Sequence, residues 1–312
     1  MDFLCSERSR ELYNTCLSNF NLEALRQRAT DYRGISCINC EAIAQGGYNT
    51  VFLLTFQDGH ELIARLSGSR LGQDKGVSEE VPTHRIRSEV ATMRYVEIHT
   101  SILVPHVHLA EFDVHNVVGT RFMLMDSIVG PSLDEVWDRL TPKGHEQAIR
   151  QLCGFQSELL KLEFPAIGSL LDEHGTLGPL SRSCMYPSLL GLDCGPFKTT
   201  KEYLLANVSA EPKLIQETPE NWREQRKDLQ NLSGGLDDTS LEDAHEWLRL
   251  LYEGVQGLRD DILDLPESPF VLFHDDFFSG RMWSFRLKIQ PSWWEFWIGK
   301  VREWLLYGTT TA

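Results

Sequence analysis

Apolar and polar residues change rhythm twice along this chain. Residues 7–31 place Leu12, Cys16, Phe20 and Leu22 near helical spacing, which predicts a helix with a ragged apolar face. Residues 40–45 are a short apolar stretch, Gly46-Gly47 breaks it, and residues 50–56 are a β-branched and aromatic run. Asp58-Gly59 signals a hairpin, with residues 61–66 as the returning strand. A polar loop over 67–82 leads into a predicted helix over 84–99, then strands over 104–112 and 121–125. This half reads as a small antiparallel sheet with one helix inserted.

Past Gly130 the pattern turns helical. Ser132-Leu133-Asp134-Glu135 is a capping box, predicted to open a helix running to residue 140. Residues 144–162 and 240–264 are amphipathic with a helical period, and 170–235 is rich in Gly, Pro and charge, which predicts loops and short helices over a cleft. A sheet followed by helices, with no alternation of the two, argues for an α+β fold in two lobes.

Composition narrows the classes. The chain has 312 residues, long enough for two domains at roughly 150 residues each. Its 42% hydrophobic and 24% charged residues exclude disordered and fibrous classes, and a net charge of −15 argues against a nucleic-acid partner. No apolar run approaches the roughly 18 residues of a membrane helix, so no transmembrane segment is expected. The first residues lack a signal-peptide layout, and Arg8, Arg10, Arg26 and Arg28 interleave with Asp2, Glu7, Glu11 and Glu23, unlike an acid-poor transit peptide. Seven irregularly spaced cysteines read as reduced thiols, with Cys37-x-x-Cys40 in core or loop. The expected location is cytoplasmic, with mitochondrial as the alternative.

The chain has no GxxxxGK[ST] loop and no GxSxG elbow. His145-Glu146 and His245-Glu246 lack the second His of HExxH and read as solvated helix residues. His106 and His108 share a strand face without a carboxylate or Cys at ligand spacing, so no metal site is expected there. Four other features stand out in order. Gln45-Gly46-Gly47-Tyr48-Asn49 is a tight connection whose glycines let backbone N–H groups approach an anion, or it is a plain turn. Arg65 lies in an apolar strand and needs an anionic partner. Glu89 falls in the apolar stripe of the helix over 84–99 and would satisfy Arg65, as a structural ion pair or as part of a site. Residues 269–273 run an apolar strand into His274-Asp275-Asp276, and carboxylates there point to a base or a metal site.

Taken in order over residues 40–282, these features resemble the aminoglycoside phosphotransferase and choline kinase family of kinase-like enzymes. The resemblance implies a two-lobed, protein-kinase-like α+β fold and transfer of the ATP γ-phosphoryl group to a small-molecule hydroxyl. It implies that Gly46, Gly47 and Asn49 shape a cover for the ATP phosphates, that Arg65 holds them, and that Glu89 orients Arg65. Met125 and Asp126 end the strand Phe122-Met123-Leu124-Met125-Asp126, which resembles the strand and hinge against which adenine rests. His274-Asp275-Asp276 resembles the start of the H-x-D-x-x-x-x-N loop, with Asp276 as the base and His274 as its companion. Gly195-Pro196-Phe197 and Glu202-Tyr203 resemble a segment of one branch of the family.

The chain departs from the pattern at the magnesium ligands. The Asn position is Arg281, which has no lone pair for a cation, and no Asp follows it. Trp293 stands where the second metal-binding Asp is expected, and Ser292-x-x-Glu295 reads as a helix capping box in preference to a substitute ligand. Residues 281–312 hold five of the eight Trp and five basic residues against two acids. Either the coding sequence there was misread, which the abrupt shift favours, or a genuine Trp-rich end makes a weak surface or protein contact. The expected division is an extension over 1–36, a nucleotide-binding lobe over 37–128, an incomplete helical lobe over 129–280, and the atypical end over 281–312. Activity is expected to be impaired, and the alternative is a catalytically dead pseudokinase that binds nucleotide or acts as a scaffold.

Overall fold

A computed structural model describes residues 20–45, 49–67, 79–128, 133–180, 194–206, 241–257, 269–274, 283–287, 294–298 and 304–308. Helix α1 (Leu22–Arg33) leads into strands β1 (Cys37–Gln45), β2 (Asn49–Phe56) and β3 (Glu61–Ser67). Helix α2 (Glu80–His99) precedes β4 (Val107–Glu111) and β5 (Phe122–Asp126). These five strands form one antiparallel sheet in the order β1-β2-β3-β5-β4. The α+β class is as expected, and the sheet sets β5 directly beside β3, the strand that carries Arg65.

Several boundaries differ from the sequence expectation for local reasons. Helix α1 starts at Leu22 because the Asn21 side chain caps it, accepting from the Ala24 N–H at 3.1 Å; the earlier part of the expected helix lies outside the described residues. It ends at Gly34, whose φ of 67° supplies the left-handed turn that a C-terminal cap requires. Helix α2 begins four residues before the expected start, since Pro82 sits in its first turn, where a missing N–H costs nothing. Strand β1 starts at Cys37, and Cys37 and Cys40 are both buried and outside any disulfide. Its register shifts skip Ile38 and Ile43, and these bulges on an edge strand discourage edge-to-edge pairing.

Two apolar cores flank the sheet. Phe52, Leu54, Phe56, Leu62, Ala64, Leu66, Phe122 and Leu124 pack against Leu22, Leu25 and Ala29 of α1. Met123 and Val107 join Ile86, Val90, Met93 and Val96 of α2 in a second core that continues into the following helices. There, helix α3 (Leu133–Val136) passes into a 3-10 turn over Trp137–Arg139, shorter than the expected helix. Helix α4 (Pro142–Leu159) starts with Thr141 as its cap and Pro142 in the first turn. His145 is not simply solvated: it packs against Trp137 with ring centroids 4.5 Å apart, and its Nε2 donates to the Trp137 carbonyl at 2.8 Å.

Of the stretch over 170–235, residues 170–180 and 194–206 are described. Short strands β6 (Glu163–Phe164) and β7 (Ser169–Leu170) lead into it, β8 (Leu177–Gly178) within it pairs with β7, and Phe197 bridges Ile167. Thr199 Oγ1 accepts from the Glu202 backbone N–H, and the Glu202 carboxylate accepts from the Thr199 N–H, a capping box that opens the helical residues 200–206. Phe197 and Tyr203 meet edge to face, so the described part of this segment has a packing role. Helix α5 (Leu241–Gly257) precedes β9 (Phe270–His274). The Trp-rich end contains β10 (Trp283–Leu287), β11 (Trp294–Ile298) and β12 (Trp304–Gly308). Ser292-x-x-Glu295 is therefore not a helix cap: Glu295 lies in β11, opposite Arg286 of β10. The β-branched and aromatic content of 293–298 outweighs the local capping signal. Strand β12 pairs with β9, which pairs with β6 on its other edge.

Candidate functional site

Strict alternation along β2 and β3 gives the sheet two faces. The sealed face holds the core against α1. The other carries Asn49, Val51 and Leu53 from β2, and Ile63 and Arg65 from β3, all half-buried. Register aligns them with β5. Leu53, Ile63 and Met125 lie in one row across three strands, and Val51, Arg65 and Met123 lie in the next. An apolar platform thus stands beside a row with a cation at its centre.

Arg65 meets Glu89. Its Nη1 donates to Glu89 Oε1, and the two side chains are 14% and 13% exposed. The expected pairing therefore forms, because the Arg65 face of β3 and the apolar stripe of α2 meet across the same core. Burial pushes the Glu89 carboxyl above its usual range; the Arg65 charge and hydrogen bond pull it down, as does Arg85, without cancelling the burial. Arg85 is a residue that the sequence reading missed. Its position one helical turn before Glu89 was the available signal.

Asp126 ends β5 at the edge of the platform. Its Oδ1 accepts from His108 Nε2 at 2.7 Å and its Oδ2 from the His106 backbone N–H at 3.1 Å. The other ring nitrogen of His108, Nδ1, lies 3.0 Å from the Tyr32 hydroxyl of α1. His106 Nδ1 lies 2.9 Å from Glu97 of α2. Both histidines therefore have carboxylate partners that spacing along the chain concealed. Among the described residues no group of three or more His, Cys, Asp or Glu is arranged to hold a metal ion.

Arg121, at the entry to β5, is nearly buried. Its Nε donates to Thr83 Oγ1 at 2.7 Å and its Nη2 to the Glu79 carbonyl at 3.1 Å, which ties β5 to the first turn of α2. Among the remaining expected residues, Asn49 begins β2 opposite Ser67. His274 is the last residue of β9, opposite Trp304 of β12. Gly46, Gly47, Asp276 and Arg281 lie outside the described residues.

No protein-family model matches the chain. It is 32% identical over 135 residues to a subtelomeric hrmA-associated cluster protein of Aspergillus fumigatus, covering 43% of this chain and 25% of that protein. It is 28% identical over 151 residues to Altered inheritance of mitochondria protein 9, mitochondrial, of Candida tropicalis, covering 46% and 23%. The chain thus matches about a quarter of the length of these relatives. The solved aminoglycoside phosphotransferase APH(4)-Ia aligns over 92% of this chain and 73% of its own, with a TM-score of 0.48 and 12% identity. No helix among the described residues is long and apolar enough to cross a membrane.

Proposed function

We propose that this chain is a kinase-like nucleotide-binding protein whose ancestral reaction is transfer of the ATP γ-phosphoryl group to a small-molecule hydroxyl. The observation that carries this reading is the Arg65–Glu89 pair at the edge of the Leu53, Ile63 and Met125 row. A flat apolar row takes a purine face, and a cation held in place by a carboxylate takes the phosphates that follow from it. Asn49 with Gly46 and Gly47 would cover the phosphates, Met125 and Asp126 would border the base, and Asp276 beside His274 would be the base toward the acceptor hydroxyl. Residues 37–128 form the nucleotide lobe in this reading, and 129–280 the acceptor side.

Magnesium does not fit the donors that the chain supplies. Arg281 stands where the resemblance implies a magnesium ligand, and a guanidinium has no lone pair to offer a cation. That donor set favours the second reading, a pseudokinase that binds nucleotide and turns it over slowly or not at all. The names of the Candida relatives support a mitochondrial location over a cytoplasmic one.

Equilibrium binding of ATP, with adenosine as competitor, tests the reading. ATP should bind, adenosine should compete, and Arg65→Gln should weaken ATP binding but not adenosine binding. Equal loss of both ligands in a folded Arg65→Gln protein would refute the placement of phosphate at Arg65. Arg281→Asn alone should leave magnesium-dependent phosphate release near background.

A further inference from the structure

Helix α2 carries Glu89, so whatever fixes this helix also fixes the carboxylate that holds Arg65. Arg121 supplies one hold, from the sheet. A second comes from residues 169–180, the β7–β8 hairpin and its exit. His84 Nε2, in the second turn of α2, donates to the Pro179 carbonyl at 2.7 Å. Further along the helix, Gly175 at the hairpin tip lies so close to Tyr95 that a Cβ there would stand 3.2 Å from the ring. Arg94 Nη1 lies 4.0 Å from Glu173 beside it. Between these points, Leu170 of β7 shares the core of Ile86, Val90 and Met93. The tip is itself braced: Asp172 Oδ1 accepts from the His174 and Thr176 backbone N–H groups at 2.9 and 3.0 Å. His84 and Tyr95 are about 16 Å apart along a helix, so the hairpin grips α2 over three turns. Its exit reaches the other end of the site. Leu180 shares a core with Phe197 and Phe270, and Phe270 opens β9, the strand that ends at His274.

Resting on the nucleotide reading above, we propose that the β7–β8 hairpin is a strap that sets the position of α2, and that His84 is a positioning residue for the Arg65–Glu89 pair. The His84 bond grips the helix ahead of Glu89, and the Gly175–Tyr95 contact grips it beyond, so Glu89 sits between two fixed points. Releasing the first of them frees the start of α2 to shift, and the carboxylate that orients Arg65 shifts with it. The strap touches no ligand and acts through the helix. Coupling of this kind is reciprocal: a phosphate chain that fixes Arg65 must also steady the hairpin.

The test is amide hydrogen exchange on the full chain, without ligand and then with ATP, beside equilibrium binding of ATP and adenosine. His84→Leu removes the donor. Gly175→Ala leaves α2 unchanged and sets a Cβ against Tyr95, at a φ of 89° that suits glycine, so it loosens the strap from the hairpin side. Without ligand, each variant should speed exchange about fivefold over both 171–178 and 86–92, the worth of one hydrogen bond. His84→Leu should weaken ATP binding by a similar factor and leave adenosine binding unchanged. His84→Gln, whose amide can donate in the same place, should restore wild-type values. ATP should slow exchange over 171–178 in the wild type. Faster exchange confined to 171–178 in both variants would overturn the strap, as would a Gln variant as weak as Leu. ATP binding that needs Arg65 but is unchanged in His84→Leu would leave the nucleotide reading intact and refute the positioning role. Joint loosening of the two segments in a chain that binds no ATP would uphold the strap and refute the nucleotide reading.

Discussion

Glu89→Gln separates stability from binding at this site. The substitution keeps the shape of the side chain and removes its charge. Contact between opposite charges at the edge of a protein gives roughly 4 kcal/mol of attraction. Withdrawing a carboxylate from water costs several kcal/mol, so the two offset to within about 1 kcal/mol. The side chain is 13% exposed, and burial dominates: its carboxyl is raised above the ordinary 4.5 despite two arginines. The sign follows from linkage. A carboxyl with a raised folded-state value contributes stability in full below its unfolded value, and that contribution is lost as pH climbs through the folded value. Glutamine has no proton to lose, so the variant should match the wild type near pH 4 and exceed it by about 1 kcal/mol near pH 8. Denaturant unfolding at a series of pH values, with equal m-values required, measures this difference. ATP affinity should fall in the same variant, because Arg65 loses the group that orients it. A Glu89→Gln protein clearly less stable than wild type at pH 8 would show that the ion pair outweighs its desolvation, and would refute the reasoning.

Two further predictions test the frame around the site. Leu25 is fully buried between α1 and the sealed sheet face, so Leu25→Ala should cost about 2–5 kcal/mol by chemical denaturation, and a near-neutral result would mean that α1 does not dock there. Arg121→Met removes the donors held by Thr83 and the Glu79 carbonyl, and should cost about 1–3 kcal/mol while speeding amide exchange in the first turn of α2 more than in its last.

The sheet was legible because period-2 alternation over residues 50–56 and 61–66 is a strong local signal, and Asp58-Gly59 fixes the register between those strands. The Arg65–Glu89 pair was legible for a different reason: each is a charged residue where an apolar one is expected, and two such anomalies of opposite sign invite each other. The carboxylate partners of His106 and His108 were not legible. Asp126 reaches them only because β5 pairs with β4, and Glu97 only because α2 lies across the same edge, contacts that spacing along the chain does not encode. The strand at 294–298 was missed because Ser292-x-x-Glu295 is a four-residue capping signal, whereas pairing with 283–287 is a relation between segments. Over its described residues the first helix was legible to within two residues of its end, and the Asn21 cap that opens Leu22–Arg33 is a contact that apolar spacing does not encode.

The two faces of the sheet divide stability from function. The large aromatic residues, Phe52, Phe56 and Phe122, all turn toward α1 and are fully buried there. Leu53, Ile63 and Met125 on the opposite face are only half-buried. Burying apolar area is worth about 25 cal/mol per Å², so leaving this row open forgoes stabilisation that the fold could have taken. A half-buried apolar row next to a cation held by a carboxylate is what the proposed ligand would cover. A purine with a phosphate chain covers both the apolar row and Arg65 in one molecule. An apolar peptide would leave the Arg65 row without a matching charge, and a free anion would leave the platform bare. The proposed nucleotide reading is supported by the two rows together and by neither alone.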